Sequence, residues 1–270
     1  MPDSATLTAL RRSRPLVHCV SNIVTANDCA NVLLAAGASP IMAQAMEEMA
    51  EITAGCDATV LNTGTPEGES RWDLCRLCGT LASGQGQPVV LDPVGIGASA
   101  WRLSHAEALL EAFTPTLIRV NLGEAQALLH QRSRERGVDS TGAAADEQRA
   151  CAAALASNLH TTVLLTGAED IVTDGVRAWR IRGGSAGMAR LTGAGCMLSA
   201  LCGAFCAVEP DGAKAAVAAS AFWKACSRRA EEAAGALGPG HFHMALLDAA
   251  GTLTASDAAR SVSVTEISLE

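Results

Sequence analysis

The 270-residue chain has no tyrosine, four Phe, four Trp and two lysines, Lys214 and Lys224. So few aromatics exclude a base-stacking platform for single-stranded nucleic acid. Basic groups are also short, 20 Lys+Arg against 28 Asp+Glu for a net charge of −8, which argues against binding built on phosphate neutralisation. No long apolar run is present. The longest uncharged stretch, 191–208, is steadily apolar only from Cys196, too short for a membrane span of about 20 residues. Basic residues near the N-terminus are not followed by an apolar segment, so no secretory leader and a cytoplasmic location are expected. Ten cysteines in that setting imply reduced thiols rather than a disulfide framework. Cys29, Cys202, Cys206 and Cys226 fall on Ala-rich helical patterns, where Cys serves as a small apolar residue.

What is present is apolar material, 49% of the chain, enough to exclude disorder and to build one substantial core. Short apolar runs predict strands over 16–20, 39–42, 58–61, 89–91, 116–120, 162–165, 171–173, 177–181 and 262–267. Helical patterns fall at 27–36, 47–54, 69–82, 103–113, 124–129, 146–159, 196–208, 211–234 and 242–253. A polar loop is expected over 131–145, and Asp174-Gly175 marks a hairpin. The alternation implies an α/β fold with a mainly parallel central sheet and helices on both faces. With no break in composition, residues 1–270 read as a single domain.

Ligands in such folds sit at the carboxyl ends of the strands. Those ends read Ser21-Asn22, Asn62-Thr63-Gly64-Thr65, Asp92-Pro93-Val94-Gly95, Asn121-Leu122-Gly123-Glu124 and Thr166-Gly167. The turn Thr192-Gly193-Ala194-Gly195-Cys196 opens an apolar helix. Glycines let backbone amides approach a ligand, and a helix N-terminus favours an anion. Asp92 and Glu124 beside these amides suit a magnesium–nucleotide site, because the ion takes oxygen ligands and offsets phosphate charge. Each element also has a plainer explanation. Asp92 before Pro93 forms turns, Glu124 suits the first turn of a helix, and Cys196 fits a core. The functional argument rests on their coincidence at strand ends.

Two motif matches carry less. Gly95-Ile96-Gly97-Ala98-Ser99-Ala100 fits a dinucleotide fingerprint, but the next strand ends in Asn121 where an acid is wanted. Cys75-Arg76-Leu77-Cys78 lacks a second ligand pair for zinc and lies inside a helical stretch, which disfavours a redox role. His241 and His243 follow Gly238-Pro239-Gly240 and mark a loop or helix start.

Several segments together resemble the hydroxyethylthiazole kinase family. They are Pro15-Leu16-Val17-His18-Cys19-Val20-Ser21-Asn22, Gly37-Ala38-Ser39-Pro40-Ile41-Met42, Leu61-Asn62-Thr63-Gly64-Thr65, Leu91-Asp92-Pro93-Val94-Gly95, Leu191-Thr192-Gly193-Ala194-Gly195-Cys196-Met197-Leu198 and Gly238-Pro239-Gly240-His241-Phe242. The resemblance runs in order over nearly the whole chain. It implies a ribokinase-like fold and MgATP-dependent phosphorylation of 4-methyl-5-(2-hydroxyethyl)thiazole in thiamine salvage. By the same resemblance, Asn22, Met42, Gly64 and Gly195 are thiazole-site positions. Arg119, Asn121, Thr166, Gly193 and Gly195 serve ATP and its phosphates, Asp92 and Glu124 organise magnesium, and Cys196 is the catalytic residue. A homotrimer with sites between subunits is expected, with no nucleic-acid or membrane partner. Val120 stands where the family usually has Gly, and Ser21 where it often has Thr. A helix N-terminus favours the Cys196 thiolate and nearby phosphates oppose it, so no extreme pKa is expected. The competing readings are another ribokinase-like small-molecule kinase, an ATP-dependent nucleotide-repair dehydratase, a non-catalytic thiazole- or nucleotide-binding regulator, and a thiol redox protein using Cys75 and Cys78.

Overall fold

The apolar runs order themselves into a nine-stranded sheet among the described residues, 4–130 and 141–269 of a computed structural model. Its strands are β1 (Leu16–Val20), β2 (Ser39–Ile41), β3 (Ala58–Asn62), β4 (Val89–Asp92), β5 (Leu117–Asn121), β6 (Thr162–Thr166), β7 (Asp170–Thr173), β8 (Ala178–Arg182) and β9 (Ser263–Ile267). Their order is β2-β1-β3-β4-β5-β6-β7-β8-β9. Pairing is parallel from β2 to β6 and antiparallel from β6 to β9. The sheet is therefore mainly parallel, as the alternation implies.

Side chains alternate across the strands and feed two apolar layers. Val17, Val60, Val90, Leu117 and Leu164 face one layer, built with helices α1 (Ser4–Ser13), α2 (Ala26–Ala36), α8 (Ala194–Cys206), α9 (Gly212–Ala234), α10 (Pro239–Thr252) and α11 (Ala255–Ser261). Leu61, Val89, Leu91, Ile118 and Leu165 face the other. That side carries α3 (Met49–Ala54), α4 (Ser70–Gly84), α5 (Ala100–Ala112), α6 (Leu122–Leu128) and α7 (Thr141–Leu159). Gly203 sits where α8 presses on the sheet, and a Cβ there would collide with Val60 Cγ2.

The differences from the sequence expectations have local causes. α7 starts at Thr141 rather than 146, so the expected loop over 131–145 ends early, and its part over 131–140 lies outside the described residues. α5 starts at Ala100 because Ser99 caps it, accepting from the Arg102 N–H at 3.2 Å. α10 starts at Pro239, the first helical position, where proline's missing N–H costs nothing. Helices α1 and α11 were not anticipated. α1 is anchored by Leu7 and Leu10 alone among strongly apolar buried residues, and α11 by Ala258. The hairpin forms, but with four residues between β7 and β8. Asp174 holds that turn by accepting from the Val176 and Arg177 N–H groups. No helix among the described residues is long and apolar enough to cross a membrane.

Candidate active site

The carboxyl ends of the parallel strands carry a cluster of buried polar groups. β3 and β4 run in register so that Asn62 pairs with Asp92, and β5 and β6 so that Asn121 pairs with Thr166. Sheet registration thus brings residues distant in sequence to one edge.

Asp92 is fully buried. Its Oδ2 accepts from Ser199 Oγ at 2.7 Å and from Asn62 Nδ2 at 3.1 Å, and its Oδ1 faces Arg119 Nη1 at 3.4 Å. Burial pushes the Asp92 carboxyl above its usual range, against the Arg119 charge and the hydrogen bonds from Ser199, Arg119 and Asn62. Arg119 Nη2 donates to Thr166 Oγ1 at 2.7 Å, while that hydroxyl donates to the Val120 carbonyl at 3.2 Å. Burial acts to lower the Arg119 pKa, but the charges of Asp92 and Glu124 outweigh it and hold the guanidinium protonated.

Glu124 has a second, structural engagement. It forms a capping box with Asn121, whose Oδ1 accepts from the Glu124 N–H at 2.9 Å while Glu124 Oε2 accepts from the Asn121 N–H at 3.0 Å. Its Oε1 accepts from the Gly95 N–H at 2.9 Å. Burial raises the Glu124 pKa, and the Asp92 charge raises it further. Among the described residues no three His, Cys, Asp or Glu side chains are grouped to hold a metal. The donor set instead fits an ion held largely by phosphate oxygens and water. The single positive charge of Arg119 leaves the Asp92–Glu124 pair net negative, a charge that a small divalent cation would relieve.

Gly193 caps α8 with φ +82°, a left-handed conformation in which a side chain is strained. Gly195 lies flat on the guanidinium, where a Cβ would meet Arg119 Nη2 at 2.6 Å. The α8 N-terminus, with its free amides, is thereby held against a fixed positive charge. Cys196 follows, half-buried, with Sγ accepting from Asn22 Nδ2 at 3.4 Å. Its pKa is raised, first by burial and then by the Asp92 charge, over the lowering influence of Thr25, Asn62 and Arg119. The side chain is therefore a neutral thiol near pH 7.

Arg119, Asn121, Thr166 and Gly195 line one cavity of about 800 Å³, together with Met188, Leu198, Trp223 and Lys224. Its wall does not include Gly193, Asp92, Glu124 or Cys196, nor the expected thiazole positions Asn22, Met42 and Gly64. Asn22 and Gly64 do adjoin, since a Cβ on Gly64 would lie 3.1 Å from Asn22 Cβ. Met42 follows β2, half-buried against the first apolar layer.

Sequence reasoning passed over Asn62, Ser199 and Thr25 as individual site residues, along with the Lys224–Asp170 ion pair at 3.2 Å beside the cavity. Asn62 was legible as a strand-end polar residue next to the Asp92 strand. Ser199 carried only its spacing, one helical turn beyond Gly195. The discounted motifs stay outside the site. Cys75 and Cys78 are free and buried in α4, with Cys75 pushed up to about 12, which makes it a poor thiolate donor. His243 lies on α10 against Asp28, 3.1 Å away.

Known proteins share this geometry and much of this sequence. The model of the hydroxyethylthiazole kinase family matches residues 7–256. A hydroxyethylthiazole kinase of Listeria monocytogenes is 42% identical over 249 residues, 92% of each chain. One of Methanoculleus marisnigri is 42% identical over 260 residues, covering 96% of this chain and 92% of its own. The solved hydroxyethylthiazole kinase of Pyrococcus horikoshii superposes with a TM-score of 0.89 at 34% identity over 98% of both chains. A Staphylococcus aureus pyridoxal kinase solved with AMP-PCP shares the fold at a TM-score of 0.64, with 15% identity over 93% of this chain and 98% of its own. By sequence over most of its length and by fold over nearly all of it, the chain belongs to the hydroxyethylthiazole kinase family.

Proposed function

We propose that this chain is an ATP- and magnesium-dependent kinase that phosphorylates the hydroxyl of 4-methyl-5-(2-hydroxyethyl)thiazole in thiamine salvage. The observation that carries this reading is the α8 N-terminus seated on the Arg119 guanidinium beside Asp92, at the wall of the large cavity. In the transfer, the alcohol oxygen bonds to the γ-phosphorus and the bond to the bridging oxygen breaks. ADP leaves, and the hydroxyl proton passes late to a phosphate oxygen and on to solvent. Such a reaction needs alignment and charge stabilisation more than covalent help. Arg119, Thr166 and Asn121 hold the nucleotide phosphates, and the amides from Gly193 to Cys196 receive the moving group. Asp92 and Glu124 would hold magnesium, which supplies charge neutralisation when bound. Asn22, Met42 and Gly64 form the alcohol side. A neutral Cys196 thiol orients the hydroxyl there rather than removing its proton early. A single kinase domain over residues 1–270, a homotrimer with sites between subunits and a cytoplasmic location belong to the same reading.

A coupled ADP-release assay tests it. The expected result is ADP formation that requires the thiazole alcohol, ATP and magnesium together. A folded protein releasing no ADP above its alcohol-free background overturns it. Turnover only with other alcohols or with a damaged nucleotide would move the assignment to another ribokinase-like activity.

A further inference from the structure

We propose that Asn62 and Ser199 are positioning residues that join the two halves of the site through one buried hydrogen-bond chain. The proposal rests on the kinase reading for its functional meaning, but its geometry stands alone. The chain begins at Cys196, whose Sγ accepts from Asn22 Nδ2 at 3.4 Å. The same Nδ2 donates to Asn62 Oδ1 at 3.0 Å, and Asn62 Nδ2 donates to Asp92 Oδ2 at 3.1 Å. Ser199 Oγ closes on that carboxylate oxygen at 2.7 Å and lies 3.2 Å from the Gly195 carbonyl, one turn back along α8.

Both amides are oriented by backbone donors, which can only donate. Asn22 Oδ1 accepts from the Thr25 N–H at 3.1 Å, so its Nδ2 must point at Cys196 and Asn62. Asn62 Oδ1 accepts from the Gly64 N–H at 2.9 Å, so its Nδ2 must point at Asp92. Asn22, Asn62, Asp92 and Ser199 are all at most 4% exposed. Water cannot readily replace a lost partner there, so each link is costly to break. Asn62 therefore touches the alcohol side through Asn22 and Gly64 and the phosphate side through Asp92. It fixes the distance between halves that must meet in line. Ser199 performs the complementary task from α8, locking Asp92 to the helix whose amides receive the phosphoryl group.

The test combines kinetics with a thiol probe that needs no turnover. Asn62→Ala is expected to lower kcat by roughly 10- to 100-fold, the scale of a misalignment of about 1 Å, with KM for ATP within about threefold of wild type. Ser199→Ala, which removes one hydroxyl, should lower kcat by about three- to tenfold with little change in KM for ATP. In an Asp92→Asn background, Asn62→Ala should cost under about threefold more, because residues acting through one group are not additive. Separately, iodoacetamide labelling with peptide mapping follows Cys196, the one cysteine of ten that is not buried. Its labelling should quicken at least about fivefold in Asn62→Ala, as Asn22 and the Gly64 turn lose their anchor. If that variant fails to fold, Asn62→Ser is read by the same measurements with the same signs and smaller effects. A lower melting temperature with kcat within twofold of wild type overturns the proposal. So do fully multiplicative losses in the Asp92→Asn background, or unchanged or slower Cys196 labelling. A wild-type protein inactive on the thiazole alcohol defeats the kinase reading, and the labelling result then decides the chain of contacts by itself.

Discussion

The parallel half of the sheet and its antiparallel edge use charge in opposite ways. At the carboxyl ends of β1, β3, β4, β5 and β6, the polar groups Asn22, Asn62 and Asp92 are buried, and each depends on named partners. Around β8 and the turn that precedes it, Arg177 pairs with Asp174 and Asp211, and Arg182 with Glu169, all at least one-fifth exposed, while Asp170 at the start of β7 is buried against Lys224 and Ser220 and groups with the parallel half. Burial makes a partner indispensable, because an unpaired buried charge has no solvent to fall back on, whereas exposed pairs are screened and contribute little. The parallel edge should thus be intolerant in function and the antiparallel edge tolerant.

Asp92→Asn should break this contrast hardest if it is wrong. It takes from Arg119 the carboxylate it faces and breaks the proposed link between the two halves. We expect kcat to fall by about 10²- to 10³-fold, the range for losing one preorganised electrostatic group. Turnover near wild type in a folded variant would mean that Asp92 only shapes a turn. Gly195→Ala comes next. Its methyl would collide with the Arg119 guanidinium, displacing the group that Thr166 holds. A loss of about 10²-fold in kcat/KM for ATP is expected, with a melting temperature close to wild type. Cys196→Ala should cost less, about 10- to 10²-fold in kcat, because a neutral thiol that orients an alcohol is worth less than a general base. A loss above about 10³-fold would restore the base.

The smallest effect belongs to Arg177→Ala on the exposed edge. Activity should be unchanged and stability reduced by under ~1 kcal/mol. The Arg177 hydrogen bond holds Asp211 below the usual carboxylate range. Asp174 lies below it too, where backbone N–H groups of Arg177 and Val176 outweigh burial. A depressed carboxyl contributes stability that is full above its unfolded pKa of about 3.9 and is lost as pH falls through the folded value. The difference in melting temperature between wild type and variant should therefore shrink below about pH 4. A difference that grows in acid would refute this account.

Much of the frame was legible in the chain because burial on both faces of a parallel sheet leaves unbroken apolar runs, and β1 falls on the residues its run marks, Leu16–Val20. What was hidden depends on tertiary contact. Ser199 meets Asp92 across 107 residues and Asn62 meets it across 30, separations for which no local pattern exists. Asn121-Leu122-Gly123-Glu124 was visible as a polar strand end leading into a helix. Its spacing, an Asn three residues before a Glu at a helix start, is the sequence form of the capping box that the helix uses. The helix terminus before Cys196 is local and visible in sequence, while the burial that raises its thiol pKa comes from tertiary packing and is not.

Gly203 gives the site its reference plane. Any larger residue would meet Val60 and lift α8 from the sheet. Eight residues separate it from Gly195, a lever of ~12 Å along the helix at 1.5 Å per residue. A tilt introduced at that fulcrum would carry the helix's amino end away from the strand ends. The placement of the α8 amino end against Arg119 is thus set two turns away, by a hydrogen atom in place of a methyl group.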